Sequence, residues 1–263
     1  GPEKVYDFTL GNPNVEPPGS FKEALKKLAE EPVPGMHRYM SNAGYPETRR
    51  AVGEVLREQT GLEFTENHII MTCGAGGALN VVLKTILDQG DEVLILAPFG
   101  VEYKFYIDNH GGVFKVAPTG QDFQLDVKAI EQAITPLTKA IIINSPNNPT
   151  GVVYDAAALT GLGLMLEAKE KELGRTIYVI SDEPYAKIVY DGVTVPSVFK
   201  YIKNSIAVTS HSKDLALPGE RIGYIAISPR FDLQELLIEG LVFCNRTLGF
   251  VNAPALMQRL VAG

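Results

Sequence analysis

The feature that most constrains the fold of this chain is a regular alternation of short apolar segments with longer amphipathic segments. Three of the apolar segments are VLILA (93–97), IIIN (141–144) and IYVIS (177–181), which consist mainly of aliphatic and β-branched residues. Such segments predict strands that are buried on both faces, as in a parallel sheet with helices on either side. The alternation therefore predicts an α/β fold of three α/β/α layers with a mainly parallel central sheet.

The same periodicity predicts where the individual elements lie. Predicted strands cover residues 68–72, 92–97, 112–117, 140–144, 176–181, 205–209 and 222–227. Predicted helices cover residues 21–30, 46–59, 76–87, 101–109, 126–134 and 155–172, with further helices from about residue 231 onwards. Ser20, with Glu23 three residues later, predicts a side-chain cap at the start of the first helix.

Composition and charge narrow the classes of partner. The chain has 45% hydrophobic and 21% charged residues, which is typical of a soluble globular protein. Its net charge of −7 disfavours nucleic acid or an anionic membrane as the main partner. It contains no apolar run near the ~18 residues of a membrane span and no signal peptide, which predicts a cytoplasmic protein. Cys73 and Cys244 lie far apart and, like the histidines, fit no metal-binding pattern, so we expect reduced thiols and no metal site.

The stretch SHSK (210–213) supplies a candidate nucleophile, and Arg221 follows Lys213 by eight residues. Partial desolvation of Lys213 between two apolar segments disfavours its ammonium form and leaves the amine able to attack carbonyls. The hydroxyls of Ser210 and Ser212, together with the fork of Arg221, suit a phosphate dianion. An amine beside a phosphate site indicates pyridoxal 5′-phosphate, an aldehyde cofactor that carries a phosphate. A solvated turn with an ordinary surface lysine and arginine is the alternative interpretation.

The segment CGAGG (73–77) follows a predicted strand and opens a predicted helix. At a helix N-terminus, the backbone amides of Gly74, Ala75 and Gly76 suit a phosphate. Tight helix–strand packing would explain these glycines equally well. A dinucleotide site is a weaker alternative, because Leu79 stands where the G-x-G-x-x-G pattern needs its third glycine.

Two further polar segments, NSPNNPTG (144–151) and SDEPY (181–185), end predicted strands of the sheet. Parallel sheets bind ligands beyond the carboxyl ends of their strands, so we expect these segments near SHSK. A partly buried Asp182 needs a cationic or hydrogen-bonding partner, and a protonated pyridine nitrogen would be one. A plain turn for the asparagines and a capping role for Asp182 are the alternatives.

In this order, NNPTG, SDEPY and SHSK with its following arginine resemble the class I/II aminotransferases, which are fold-type I pyridoxal-phosphate enzymes. The resemblance runs from LGNPN (10–14) to NAPA (252–255), nearly the whole chain. It implies that residues 1–40 form an N-terminal segment with a short helix and that residues 41–263 form the cofactor-binding large domain. It also implies that the family's small C-terminal domain, with the arginine that clamps the substrate carboxylate, is absent from this chain.

The resemblance implies a role for each predicted site residue. Lys213 would form the internal aldimine and move the substrate proton, and Asp182 would pair with the pyridinium nitrogen. Asn148 and Tyr185 would hydrogen-bond the 3′ oxygen of the cofactor, with Tyr185 counted among the catalytic residues. Tyr39 would reach the phosphate of the neighbouring subunit in a homodimer with shared sites. The implied phosphate ligands within the chain are Gly74, Ala75, Gly76, Ser210, Ser212 and Arg221. The implied reaction transfers an amino group from an amino acid to a 2-oxo acid.

One position departs from the family pattern. Pro98 follows the VLILA segment, and family members usually carry an aromatic residue two positions after this proline, where it stacks on the cofactor ring. In this chain that position is Gly100. Either Phe99 or Tyr103 covers the ring, or that face is open. Other reactions on the same scaffold, such as lyase, decarboxylase or racemase chemistry, remain alternatives. A truncated cofactor-binding domain with weak, promiscuous activity is another.

Overall fold

The structure, a computed structural model, describes residues 11–262. Only part of the predicted N-terminal segment 1–40 therefore lies within the described residues. The strands are β1 (Ile69–Thr72), β2 (Glu92–Ala97), β3 (Val113–Pro118), β4 (Thr138–Asn144), β5 (Tyr178–Asp182), β6 (Ser205–Ser210) and β7 (Gly223–Ile227). The helices are α1 (Gly19–Glu30), α2 (Pro46–Thr60), α3 (Gly74–Ile86), α4 (Glu102–Asp108), α5 (Val127–Ala133), α6 (Ala156–Leu173), α7 (Val198–Tyr201), α8 (Gln234–Thr247) and α9 (Ala255–Val261).

The seven strands form one sheet in the order β1-β7-β6-β5-β4-β2-β3. β7 is antiparallel to both of its neighbours, and the other pairs are parallel. Residues 211–222 join β6 to β7 without a crossover helix, so the chain reverses and its next strand runs the opposite way. The predicted α/β fold with a mainly parallel sheet is confirmed.

Side chains alternate across each strand and divide the interior into two cores, one on each face of the sheet. In β1, Ile69 and Met71 belong to one core and Ile70 to the other. The first core also contains apolar residues of α2, α5, α6, α7 and α9, and the second contains those of α3, α4 and α8. The sheet is therefore covered on both faces, which explains the unbroken apolar runs in its central strands.

Several local features of the structure differ from the prediction. α1 begins after Pro18 and has no side-chain cap, so the prediction that Ser20 caps the helix is wrong. Ser20 lies inside the first turn, where the amide of Phe21 donates to the Pro18 carbonyl oxygen at 3.0 Å. α3 begins at Gly74, two residues earlier than predicted. The single turn α7 was not predicted, because four residues are too few to establish a period.

The register of the parallel strands brings the polar segments to one edge of the sheet. Asn144, the last residue of β4, is the lateral partner of Asp182, the last residue of β5. Asp182 in turn pairs with Val208 of β6, two residues before that strand ends at Ser210. The segments that follow these three strands therefore start side by side.

Candidate active site

Asn144 links the segments 144–151 and 181–185 by hydrogen bonds at the edge of the sheet where β4 and β5 end. Its side-chain Nδ2 donates to the backbone oxygen of Asp182 at 2.8 Å, and its Oδ1 accepts from the backbone amide of Asn148 at 2.7 Å. The side chain is buried, so both hydrogen bonds are shielded from water. Asn144 was not among the predicted site residues, although its position as the last residue of a buried strand could have indicated this role.

The carboxyl group of Asp182 is buried and only half satisfied. Its Oδ2 accepts a hydrogen bond of 2.6 Å from the hydroxyl of Tyr103, whereas its Oδ1 has no partner among residues 11–262. Burial raises the pKa of Asp182 to about 6, and the hydrogen bond from Tyr103 opposes that rise. A buried carboxylate oxygen without a partner is costly, so the site is suited to a cationic N–H donor at Oδ1.

Asn147 and Asn148, which are adjacent in the loop after β4, have different roles. Asn147 is buried, and its Oδ1 accepts from both the amide and the hydroxyl of Thr150, at 3.1 and 2.8 Å. Asn148 is exposed, and its Nδ2 donates to the Tyr185 hydroxyl at 3.3 Å. The structure therefore brings Asn148 and Tyr185 together as a pair, while Asn147 shapes the turn.

Lys213 lies in the segment after β6 and is half-buried. Its Nζ donates to the backbone oxygen of Gly11, a residue of the LGNPN segment. Burial lowers the pKa of the Lys213 ammonium group, as expected for an amine that is partly withdrawn from water. Its carbonyl partner Gly11 was not predicted, because nothing local links two residues so distant in the chain.

Gly74 and Arg221 form a close contact that requires a glycine. A Cβ atom on Gly74 would lie 2.9 Å from Nη2 of Arg221, and the backbone φ of Gly74 is +72°. The guanidinium group therefore lies directly against the first residue of α3, while its Nη1 donates to the Pro218 oxygen at 2.9 Å. A cationic fork and the free amides of a helix N-terminus converge here, which is an anion-binding arrangement.

The remaining predicted phosphate ligands belong to the two segments that meet at this contact, namely the start of α3 and the chain from the end of β6 onwards. Ala75 and Gly76 belong to the first turn of α3, and Ser210 and Ser212 are buried at the end of β6 and just beyond it. The hydroxyl of Tyr106, which was not predicted, lies 3.3 Å from the position of a Cβ atom on Gly76. Spacing of three residues places Tyr103 and Tyr106 on the same face of α4, and that periodicity was the signal available in the sequence.

The hydroxyl of Tyr103 donates a hydrogen bond to Asp182, so the Tyr103 ring lies beside that carboxylate. Phe99 is half-buried and lies beneath the ammonium group of Lys104, whose Nζ is 5.2 Å from the ring centroid. Gly100 lies between Phe99 and Tyr103 in the sequence. A Cβ atom on Gly100 would lie 3.3 Å from Oε2 of Glu102. The structure thus places Tyr103 beside Asp182 and Phe99 beside Lys104, and position 100 has no side chain. Which of the three alternatives describes the ring face stays a prediction.

Tyr39 stands apart from the other predicted residues. Its side chain is 90% exposed, and it lines a surface cavity of about 230 Å³ together with His37, Arg38 and residues of the segment 250–255. Asn252 anchors this loop, because its Nδ2 donates to the Ser41 oxygen at 2.9 Å. The structure therefore presents Tyr39 on an ordered surface and does not place it against Lys213.

The donor set fits pyridoxal phosphate. It offers a lysine amine of lowered pKa, a buried carboxylate oxygen that needs a cationic donor, and an arginine against a helix N-terminus. Within residues 11–262, no cluster of three or more histidine, cysteine, aspartate or glutamate side chains could hold a metal ion. In the same part of the chain, no helix has both the length and the apolar character of a membrane span.

Comparison with known proteins establishes the family. Residues 3–263 match the family model of the class I and II aminotransferases, and the chain belongs to this family. It is 38% identical over 219 residues to a probable aspartate/prephenate aminotransferase of Thermus aquaticus, a match that covers 82% of this chain and 55% of that protein. It is 34% identical to a probable aspartate aminotransferase of Methanocaldococcus jannaschii, covering 89% of this chain and 60% of that protein. The chain thus spans little more than half the length of these relatives.

Solved structures give the same result for the fold. An aminotransferase of Eubacterium rectale superposes with a TM-score of 0.96 at 38% identity, covering 99% of this chain and 66% of that one. The aspartate aminotransferase of Thermus thermophilus with maleate superposes with a TM-score of 0.84 at 31% identity, covering 97% of this chain and 63% of that one. The strand order and the two helical layers described above are therefore those of aminotransferases.

Proposed function

We propose that this chain is the cofactor-binding part of a pyridoxal-phosphate-dependent aminotransferase, which moves an amino group from an amino acid to a 2-oxo acid. The observation that carries the proposal is the buried Oδ1 of Asp182, which has no partner among residues 11–262. A protonated pyridine nitrogen would supply the missing donor. That cofactor, when bound, withdraws electrons from the α-carbon of an attached amino acid and so makes its proton removable.

The residues of this chain would divide the work as follows. Asp182 holds the ring nitrogen protonated, and the hydroxyl of Tyr103 orients the carboxylate for that contact. Asn148 and Tyr185, which are hydrogen-bonded to each other, would bind the ring oxygen. The amine of Lys213 would bind the aldehyde group of the cofactor and, when free, would accept the α-carbon proton at Nζ and return it. Its lowered pKa favours the neutral form that this step needs.

The phosphate group would be held by Arg221 and by the first turn of α3. Backbone amides of Ala75 and Gly76, with the hydroxyls of Ser210 and Ser212, complete the proposed ligand set. The exposed ring of Tyr39 supports a homodimer in which this residue reaches the partner's phosphate. The free thiols of Cys73 and Cys244 support a reducing compartment, and we propose the cytoplasm.

The test is covalent attachment at one lysine. The protein is incubated with pyridoxal phosphate and reduced with borohydride, and the attachment site is found by peptide mass spectrometry. We expect the cofactor mass at Lys213 in the wild-type protein and its loss in the Lys213→Ala variant. Lys171→Ala, which removes an exposed lysine at the end of α6, is the matched control and should retain the label. Labelling of Lys213→Ala to the wild-type extent would refute the proposal.

A further inference from the structure

Glu102 is a charged residue at the proposed site to which the function described so far assigns no role. It is the first residue of α4, and Tyr103, which binds Asp182, follows it directly. Its Oε2 lies 3.3 Å from where a Cβ atom on Gly100 would be, so the carboxylate folds back over Gly100. Because Gly100 has no side chain, nothing at position 100 covers this carboxylate.

The charge of Glu102 reaches the groups that line the cleft. Burial is the main cause of the raised pKa values of Tyr106 and Tyr185, and the negative charge of Glu102 adds to the rise in both. Tyr106 lies against the first turn of α3, and Tyr185 is the partner of Asn148. These residues belong to the two sides of the proposed cofactor site, so the carboxylate is within electrostatic range of both.

No cation of the described chain neutralises this carboxylate. None of the ion pairs within residues 11–262 includes Glu102. The adjacent Lys104 is directed elsewhere, because its Nζ lies over the rings of Phe99 and Phe114, at 5.2 and 4.9 Å. Glu102 is exposed, so its carboxyl group is accessible to the charged groups of a ligand that binds nearby.

We propose that Glu102 is a specificity-determining residue that favours amino acids with a cationic side chain and disfavours those with an acidic one. The inference rests on the proposed function and concerns the same site. Two like charges repel and two opposite charges attract, and a site that is open to water transmits a reduced but measurable part of this interaction. The proposal separates this chain from the relatives that are named for aspartate.

The first test compares three amino acids of similar size and different charge. Half-transamination of the cofactor-loaded protein is followed by absorbance with ornithine, glutamine and glutamate as donors. We expect Glu102→Gln to lower the ornithine-to-glutamate ratio of kcat/KM by about three- to tenfold, the range of a partly screened charge pair. The rate with glutamine should change least. The difference should shrink in high salt, because exposed charges are screened.

A matched control uses the same helix. Asp108→Asn removes one exposed negative charge from the far end of α4 and should leave the ornithine-to-glutamate ratio unchanged. If Glu102→Gln leaves the ratio unchanged, or if Asp108→Asn lowers it as much, the assignment of specificity to Glu102 is wrong. A protein that forms no Lys213 adduct would overturn the proposed function and this inference together, so the two failures are distinguishable.

A second measurement does not depend on turnover. Dissociation constants of maleate, a dianion, and isocrotonate, the monoanion of the same cis geometry, are obtained from the change that each causes in the absorbance of the loaded protein. We expect Glu102→Gln to tighten maleate binding by about three- to tenfold and to affect isocrotonate less, since only maleate brings a second negative charge. An equal effect on both ligands would count against a role in side-chain selection.

Discussion

The hydroxyl of Tyr103 donates to the carboxylate of Asp182 at 2.6 Å, and the two residues are 79 positions apart in the chain. Both side chains are buried. The contact decides two properties of the site. It fixes which oxygen of Asp182 remains available to a ligand, and it holds the Tyr103 ring beside the carboxylate.

Removal of the Tyr103 hydroxyl should raise the pKa of Asp182 further. A hydrogen bond to a carboxylate favours its charged form, and Tyr103 provides the one that opposes the effect of burial. We expect Tyr103→Phe to raise this pKa by about one unit, the lower end of what a charge-assisted hydrogen bond supplies. The measurement is a carbon-13 NMR titration of the aspartate carboxyl groups. Tyr106→Phe, which removes a hydroxyl beside Gly76, is the control and should give a smaller shift.

Asp182→Asn should stabilise the cofactor-free protein at alkaline pH. Burial raises the pKa of Asp182 to about 6, above its value in an unfolded chain, so the folded state binds the proton more tightly. The stability contributed by protonation is complete below about pH 4 and is lost as the pH rises through about 6. At pH 8 the variant should therefore be more stable by about 1–3 kcal/mol, and this advantage should vanish near pH 4.

Urea unfolding of the cofactor-free proteins across this pH range measures the difference. Glu183 titrates in both proteins, but burial and, to a lesser extent, the negative charge of Asp182 raise its pKa to about 7. Asp182→Asn removes the contribution of that charge as well, and this adds to the expected stabilisation at alkaline pH. Asp108→Asn, an exposed carboxylate on α4, should follow the wild-type curve. With cofactor, Asp182→Asn should reduce turnover more than binding, since the proposed contacts of Arg221 and Lys213 with the cofactor would remain. If the free energy of unfolding depends on pH in the same way for Asp182→Asn and wild type, the interpretation of Asp182 as a buried carboxylate without a full set of partners is wrong.

Gly74→Ala should separate backbone strain from the contact with Arg221. The φ of Gly74 is +72°, and a Cβ atom would lie 2.9 Å from the guanidinium group. Gly90→Ala is the matched control, because its φ is +87° and nothing lies within 4 Å of the added carbon. Both variants should lose about 1–2 kcal/mol of stability from the left-handed backbone. Only Gly74→Ala should also weaken cofactor binding, by about tenfold or more if a charge-assisted hydrogen bond is lost.

Thermal unfolding and absorbance titration with pyridoxal phosphate give the two quantities. If both variants bind the cofactor equally well, Arg221 does not contribute to the phosphate site from its position against Gly74. If Gly74→Ala loses far more stability than Gly90→Ala, the displaced guanidinium group has a structural role in addition.

The adjacent asparagines should respond in opposite ways to truncation. Asn147 is buried and accepts two hydrogen bonds from Thr150, so Asn147→Ala should cost about 1–3 kcal/mol of stability. Asn148 is exposed and contacts the Tyr185 hydroxyl, so Asn148→Ala should change stability by less than about 0.5 kcal/mol. Its effect should instead appear in the spectrum of the bound cofactor and in a higher pKa for Tyr185. Equal destabilisation by both substitutions would show that the loop acts as one structural unit.

The sequence by itself determined the fold class, the order of the elements and the family. Apolar runs such as 93–97 and 141–144 indicate strands that are buried on both faces of the sheet. This pattern is local, so it can be recognised from the sequence alone. The ordered motifs NNPTG, SDEPY and SHSK, with the arginine that follows, identified the family, which the match over residues 3–263 confirms. The roles assigned to Lys213, Asp182 and their neighbours remain predictions, now supported by the common edge of the sheet from which their segments start.

Only the tertiary structure decided how the site is assembled. The link from Asn144 to both Asp182 and Asn148 depends on the register of β4 against β5, which no local pattern encodes. Likewise, the need for glycine at position 74 depends on where Arg221 folds, and the sequence alone allowed a packing explanation. The hydrogen bond from Tyr103 to Asp182 and the position of Glu102 beside Gly100 also depend on the tertiary structure. Directions of side chains across a sheet follow from strand order and packing, and these are set by contacts between segments far apart in the chain.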